Sequence, residues 1–536
     1  MPSTRAQTAG SPPAARHNLI LVVTCLALGT VVAAMASLNV ALPDLARETH
    51  ASQTQLSWII DSYSLVFASL LLPAGALGDR FGRRRALLAG LSIFGAGSAA
   101  ASLTTDPSTL IALRGVLGVG AALVMPATLS TITSTFPRAQ RARAVSVWAA
   151  VAGAGALVGL FATGALLEGW SWRSVFLLNV VLALVALIGT LLFVPESAEP
   201  QQPRLDIGGA LLAVAGLVAL VYSVIEAPTR GWADPVTLGG IGLGLVVLAG
   251  FVLFELRRAN PLLDPRLFRN QHFAAGSLSI MLQFFVFFGF IFVMMQYLQL
   301  VRGDSALMAA TSMLPMAVTM VPVSRATPRL VARFGFRGPW VAGLVGVAAG
   351  MGVLSLLDAS SPYWLIATGL VPLGAGMGLA MTPATTSITD ALPRSLQNVG
   401  SAMNDLAREL GGALGIAVLG SLLSATYRDH LSLPGLPGLP GLPGLPGLPG
   451  HVADAARSSL AAAHTIGGPV SDHATTAFVD GMHVALLGAA AAAVLAAVTV
   501  ALLLRSAPRP QQFDDDEVTD VTGSADAEAQ EQPAYR

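Results

Sequence analysis

Five charged residues lie inside stretches otherwise apolar enough to sit in a bilayer: Asp61, Arg114, Asp405, Arg408 and Glu409. A charge in the hydrocarbon core costs roughly 2.5–3.5 kcal/mol on insertion scales, so each needs a reason to be there. Asp61 stands in the run WIIDSYSL, from Trp58 to Leu65. A carboxylate held in an apolar bundle can take up a proton and give it away in exchange for a cation. Trp58 and Tyr63 offer π faces to the same cation. The alternative is that Asp61 is close enough to the membrane surface to be hydrated and merely caps its helix. Arg114 stays protonated in any environment and demands an anion or carbonyl oxygens, which suits coupling or a structural ion pair and not proton storage. Asp405 and Glu409 are four apart and share a helical face, with Arg408 beside both. They fall within roughly two turns of the start of their span, where a solvated salt-bridge cluster competes with a site in the membrane.

Other chemistries find no support. Neither a G-x-S-x-G nor an H-E-x-x-H occurs, and His430, His451, His464 and His473 scatter without ligand spacing, so neither a metal nor another cofactor is expected. All thirty Lys+Arg residues are arginine, so the lysine of a phosphate-cradling loop and the amine of a Schiff base are both missing. ATP as a driving ligand is therefore disfavoured. The formal charge is zero, which gives no reason to expect nucleic acid. The single cysteine, Cys25, rules out an intrachain disulfide.

The elements that must position these charges are membrane helices. With 54% hydrophobic and 11% charged residues, the 536-residue chain is too apolar for a water-soluble globule. Fourteen runs of span length lie near 18–42, 54–77, 86–104, 108–132, 144–167, 174–194, 206–226, 235–256, 272–299, 306–326, 338–357, 363–386, 399–425 and 481–505. No small-residue cleavage site closes the first, so it reads as a span and not as a cleaved signal. Arginine gathers in the loops on the side of Arg83, which predicts that this side and both termini are cytoplasmic.

Two echoes divide the chain. Leu77 to Gly82 (LGDRFG) returns as Leu330 to Gly335 (LVARFG) at an offset of 253. Gly118-x-Gly120, Met125-Pro126-Ala127-Thr128 and Pro137-Arg138 return as Gly374-x-Gly376, Thr382-Pro383-Ala384-Thr385 and Pro393-Arg394, at 256 or 257. Transporter folds are commonly built from such duplications. The echoes predict an all-α polytopic membrane protein: a tail at 1–17, a six-helix bundle at 18–196, two inserted helices at 197–262, a second bundle at 263–505, and an acidic tail at 506–536. An outward loop at 427–480 carries six copies of Leu-Pro-Gly between Leu433 and Gly450, expected to be a disordered or polyproline-like spacer. The acidic tail is expected to be disordered too.

Between the second and third spans lies LLPAGALGDRFGRRRALL, from Leu71 to Leu88. Gly75 and Gly78 permit close approach of two helices, Asp79 can accept from backbone N–H groups at a nearby helix start, and Arg80, Arg83, Arg84 and Arg85 hold the loop at the membrane face. This stretch resembles the signature between helices 2 and 3 of the major facilitator superfamily, the secondary transporters, and the fourteen spans resemble its drug:proton antiporter branch. The resemblance covers most of the chain. It implies two bundles alternating access, with Gly75, Gly78, Asp79, Arg80, Gly82, Arg83 and Arg84 as a conformational latch. LIALRGVLGVGAA around Arg114 resembles the superfamily's fourth-span motif, in which a buried arginine takes part in proton transfer or charge pairing. WIIDSYSL is similar to the stretch that in quaternary-ammonium and antiseptic pumps handles cationic drugs, and that role passes to Asp61 alone.

The small-residue ridge with Gly155, Gly159 and Gly164 resembles the branch's antiporter motif, expected to mediate close helix contact. Leu160 replaces its proline and Thr163 the first of its paired glycines, and Ala34 stands where many relatives carry an acid in the first span. What the resemblance implies is a monomer in the cell membrane, no enzyme, that exports amphipathic, cationic compounds against protons. Export of an endogenous metabolite or self-made antibiotic is the second reading, and a membrane enzyme or receptor scaffold a remote third. A stripe of Met281, Phe285, Phe288, Phe292, Met295 and Gln299 at helical spacing is expected to face lipid or a neighbouring helix.

Overall fold

The computed structural model describes residues 14–197, 206–258, 261, 263–392, 397–431 and 450–505. The Leu-Pro-Gly repeat up to Pro449, the acidic tail and the side chain of Asp79 lie outside the described residues. The chain is a succession of helices: α1 (Ala14–Thr49), α2 (Gln53–Phe81), α3 (Arg83–Leu103), α4 (Pro107–Thr135), α5 (Arg138–Leu167), α6 (Arg173–Phe193), α7 (Ile207–Arg230) and α8 (Pro235–Glu255). There follow α9 (Gln271–Gln296), α10 (Ala306–Ser312), α11 (Leu314–Phe334), α12 (Arg337–Leu354), α13 (Tyr363–Asp390), α14 (Gln397–His430), α15 (Gly450–Ser458), α16 (Leu460–Ile466) and α17 (Gly468–Leu503). Among the described residues 12 helices are long and apolar enough to cross a membrane, with α10 and α11 counted as one. The helices α2 and α5, of 29 and 30 residues, fill the two remaining places of a fourteen-span plan.

The same packing scheme occurs twice. In the first bundle α1 packs on α4, α5 and α6, α2 on α4, and α3 on α4 and α6. In the second, α9 packs on α13, α14 and α17, α11 on α13, and α12 on α13 and α17. Glycines set the close approaches. A Cβ on Gly118 would lie 2.6 Å from the Tyr63 carbonyl oxygen of α2, and one on Gly120 would lie 2.8 Å from that of Gly90 in α3. Their echoes do the same work: Gly374 abuts the Met316 carbonyl of α11, and Gly376 lies against Gly343 and Val347 of α12. The inserted helices α7 and α8 pair with each other, and α7 also packs on α2 and α14, one helix from each bundle.

Two expectations need correction. The connection after the second span is far shorter than the gap between the runs 54–77 and 86–104, because α2 extends to Phe81 and α3 begins at Arg83. Gly82 alone joins them, at φ 119 and ψ 124, a backbone conformation that a side chain would strain. The second correction concerns 427–480: α14 continues to His430, and 450–480 is largely helical, with α16 packed on both α17 and the far end of α1. Leu460, Ala461 and Ala463 supply the buried apolar face that makes this short helix hold.

Because successive spans alternate direction, Gly82 and Gly335 mark one face of the molecule, and Trp58 and Glu168 lie toward the other. The bundles meet toward the Trp58 face. The Gln299 side-chain amide donates to the Val40 carbonyl at 2.8 Å, and the Leu307 N–H donates to the Glu168 carboxylate at 3.3 Å.

Candidate functional site

Asp61 sits in the third turn of α2, about 12 Å along the axis from its start. Ser52 fixes that start with a capping box: its side chain accepts from the Gln55 N–H, and its own N–H donates to the Gln55 side chain. The carboxylate is fully buried, and neither oxygen has a hydrogen-bond partner among the described residues. A surface cap is therefore excluded. Arg114 of α4 is the cation that acts on it, across a gap too wide for a hydrogen bond. The Arg114 Nε donates to the Ile59 carbonyl at 2.8 Å, and the guanidinium lies over the Tyr63 ring at 4.4 Å from its centroid. Gly118, one turn along α4, makes this possible by letting α4 touch the α2 backbone. Tyr63 is held by its hydroxyl, which donates to the Val31 carbonyl at 3.0 Å.

Trp58 does not join this group. Its indole N–H donates to Glu226 of α7 at 3.1 Å, and its ring packs on Tyr222 at 5.6 Å between centroids. The reason is helical geometry: residues three apart on α2 keep a face in common only approximately, and α7 covers the side on which Trp58 lies.

The α14 charges are less solvated than their place near the helix start implies. Glu409 is 5% exposed. Asp405 and Arg408 are largely covered and form an ion pair at 3.9 Å, and the Arg408 guanidinium lies over Phe284 of α9 at 4.7 Å. The cause is α9, whose aromatic stripe packs on the α14 glycines: Gly411 abuts the Met281 backbone, Gly415 the Phe285 carbonyl, and Gly412 would place a Cβ 2.9 Å from the Phe288 ring. That stripe faces a neighbouring helix. The helices α2 and α14 pack on each other across the bundles, with Gly420 against Ser57 one turn before Asp61, so the Asp61–Arg114–Tyr63 group of one bundle and the α14 group of the other face the same seam.

The ridge on α5 divides in two. Gly155 and Gly159 pack within their own bundle, where a Cβ would lie 3.0 Å from Val32 and 2.6 Å from the Ala33 carbonyl of α1. Gly164 instead meets the other bundle, 3.0 Å from the Leu307 Cα and 3.1 Å from the Ala306 carbonyl. A third echo emerges here that the sequence reading passed over. Gly411, Gly415 and Gly420 repeat Gly155, Gly159 and Gly164 at an offset of 256, and Gly420 lies against Ser57 of α2 as Gly164 lies against α10.

At the Gly82 face, Gly78 packs on Ala86 across the turn, at 3.2 Å for a Cβ, and Gly75 on Pro126 of α4, at 3.3 Å. Among the described residues, acceptors at the start of α3 come from the segment after α6: the Glu196 carboxylate takes the Arg84 N–H at 3.2 Å, and the Ser197 carbonyl takes the Arg83 N–H at 2.9 Å. The Arg84 side chain donates to the Leu191 carbonyl at 2.7 Å, Arg85 stands 3.6 Å from Glu196, and Arg80 lies along Phe81. An acid just beyond a span on the arginine-rich side was the signal for Glu196.

Comparison with known proteins agrees with this architecture. The family profile described as Major Facilitator Superfamily matches residues 24–416. The chain is 36% identical to the "Multidrug resistance protein Stp" of Mycobacterium tuberculosis, over 77% of this chain and 78% of that protein. It is 34% identical to the "Methyl viologen resistance protein SmvA" of Salmonella typhimurium, over 92% and 99%. A bacterial homologue of the human lysosomal transporter Spinster, solved inward-facing and unoccupied, superposes with a TM-score of 0.65 at 16% identity, over 92% of this chain and 98% of that one, a likeness of fold. Duplicated bundles, an arginine-rich turn and buried charges on a central seam thus converge on one conclusion: the chain belongs to the Major Facilitator Superfamily and is a multi-pass membrane transporter of small molecules, not an enzyme.

Proposed function

We propose that this transporter exports amphipathic, cationic drugs or antiseptics in exchange for protons, by rocking one bundle against the other. The observation that carries the reading is Asp61, a fully buried carboxylate with no hydrogen-bond partner among the described residues, on the seam that Glu409 faces from the other side. Such a carboxylate is either protonated or matched by a cation, which is the exchange an antiporter needs. Arg114, seated over the Tyr63 ring, keeps its surroundings positive when the cation is absent. Resistance to methyl viologen in a relative supports a cationic substrate, since that compound is a dication. Each charge moved gains about 2.3 kcal/mol per 100 mV of membrane potential.

The contacts joined by Gln299, Glu168, Gly164 and Gly420 close the Trp58 face. The arginine-rich loops support a cytoplasmic Gly82 face, with both chain ends on that side. The conformation is accordingly closed toward the outside, and the turn from Gly75 through Asp79 to Arg84 acts as the latch of the Gly82 face when that face closes in turn. The unit of transport is one chain, with bundles 18–196 and 263–505, and neither ATP nor nucleic acid takes part. Everted vesicles supplied with a cationic dye in the medium test this: accumulation collapses with a protonophore and is lost in Asp61→Asn. An Asp61→Asn protein with unchanged efflux and pH dependence removes Asp61 from the mechanism. Wild-type vesicles that carry no cation point instead to an endogenous metabolite or self-made antibiotic.

A further inference from the structure

Away from the seam, the halves of α7 and α8 nearest the Trp58 face part to leave a crevice of about 360 Å3. Its walls are hydrocarbon, with Val218 and Ala219 on one side and Val236 and Leu243 on the other. Its polar groups gather at one end. Tyr222, Glu226 and Arg230 follow one another at four-residue steps along α7 and so form a single stripe. The Arg230 guanidinium donates to the Tyr222 hydroxyl at 3.0 Å and stands 3.8 Å from one Glu226 oxygen, while the other Glu226 oxygen accepts from Trp58. A second cation, Arg428 of α14, acts on the same carboxylate. Asp234, which caps α8, is engaged by the N–H groups of Val236 and Thr237, at 2.9 and 3.3 Å.

In a bilayer this crevice opens toward lipid. Leu243, Leu245 and Val246 on α8 are more than half exposed, as expected of a helix bathed in lipid tails, and the polar end lies in the last turns of α7, at headgroup depth. The polar end offers an anion-binding group and a cation-binding group side by side, with Arg230 41% and Glu226 23% exposed. A zwitterionic headgroup carries the complementary pair. Arginine suits a phosphate, and the Glu226 carboxylate suits a primary ammonium, whose N–H groups can donate to it where a quaternary ammonium has none to give.

We propose that the α7–α8 crevice binds one phospholipid with a primary ammonium headgroup from the leaflet on the Trp58 face, its phosphate on Arg230, its ammonium at Glu226 and one acyl chain between the two helices. Bound there, the lipid bears on the seam, because α7 touches both bundles: Trp58 of α2 donates to Glu226, and the Ser421 hydroxyl of α14 donates to the Val224 carbonyl at 2.7 Å.

Native mass spectrometry of the full chain, released from nanodiscs of equimolar phosphatidylethanolamine, phosphatidylcholine and phosphatidylglycerol, tests this directly. The expected result is one phosphatidylethanolamine retained per chain. Retention falls about tenfold in Arg230→Gln and in Ala219→Phe, whose ring fills the crevice, while Glu226→Gln keeps a lipid but loses the preference for phosphatidylethanolamine over phosphatidylcholine. Should Ala219→Phe fail to fold, Leu243→Trp narrows the crevice from its lipid-facing wall and carries the same expectation. Retention that is unchanged in the filled-crevice variants, or that shows no headgroup preference in wild type, marks an annular lipid and overturns the proposal. So does stoichiometric replacement of the lipid by a cationic dye, which marks a drug site.

Discussion

In the first bundle Gly118 and Gly120 turn toward α2 and α3, and in the second Gly374 and Gly376 turn toward α11 and α12 in the same way. The ridge glycines match too, Gly155, Gly159 and Gly164 against Gly411, Gly415 and Gly420. The charges do not match. At the offsets set by the echoes, Asp61 corresponds to Leu314 and Arg114 to Leu370, while Asp405, Arg408 and Glu409 correspond to Ala149, Ala152 and Gly153. Backbone approach is therefore common to both bundles, and chemistry is private to each. The first bundle carries its buried acid on the helix nearest its own Arg114, whereas the second carries acids and arginine together on α14, the helix that crosses the seam to meet α2. A pivot needs two matched bodies. A coupled exchange needs them to differ where they touch.

The largest expected effect comes from breaking the private part. Arg114→Ala leaves Asp61 buried with no nearby cation and is expected to cost about 3–5 kcal/mol of stability together with transport. Its counterpart Leu370, also fully buried, should tolerate Leu370→Met at less than about 1.5 kcal/mol. Thermal melting in detergent reads both. The double variant Asp61→Asn, Arg114→Gln is expected to melt near wild type and still fail to transport, which separates the chemical role from the structural one. An Arg114→Ala protein as stable as Leu370→Met would mean that the two bundles are alike even here.

The shared part predicts equality. Gly159→Val drives a side chain into the Ala33 carbonyl and Gly415→Val drives one into that of Phe285, so each is expected to cost about 1–3 kcal/mol, and by similar amounts. Unequal melting shifts would break the correspondence. Gly164 and Gly420 sit where each bundle touches the other, so Gly164→Leu and Gly420→Leu should pry the Trp58 face apart. With Cys25 replaced by serine and a cysteine introduced at Val40, thiol labelling from that face is expected to rise about fivefold in either variant, the effect of about 1 kcal/mol on the conformational equilibrium.

Much of this was legible in the residues. Long apolar runs fix membrane helices because no other element satisfies its backbone in lipid, and Asp61 and Arg114 stood out because charge in such a run is costly. Three features were not. Trp58 turns to Glu226, a partner 168 residues away that no local pattern announces. The burial of Asp405 and Glu409 depends on how α9 lies over α14, and distance from a span's edge says nothing of that. The third glycine echo was present in the letters, but in helices this rich in glycine and alanine a spacing acquires meaning only when the atoms it admits are seen.

The smallest expected difference lies at the two turns that mark the Gly82 face. Gly82 and Gly335 both have positive φ, 119 and 80, so alanine strains either turn. Around Gly335 a Cβ would find nothing within 4 Å, whereas at Gly82 it would lie 2.6 Å from the Glu196 carboxylate that accepts from the Arg84 N–H. Gly82→Ala must therefore displace that carboxylate from the start of α3 as well as strain the backbone. Glu196→Gln keeps the shape and removes the charge, which near a helix start is worth about 0.3–1 kcal/mol in an exposed setting and less in high salt. The expected order of melting temperatures is Glu196→Gln, then Gly335→Ala, then Gly82→Ala as the lowest. In Gly82→Ala, Glu196→Gln the further loss should be smaller than the sum, because the carboxylate is already displaced. Strict additivity would mean that the first turn is held as loosely as its twin, and that the start of α3 gains nothing from the Glu196 carboxylate.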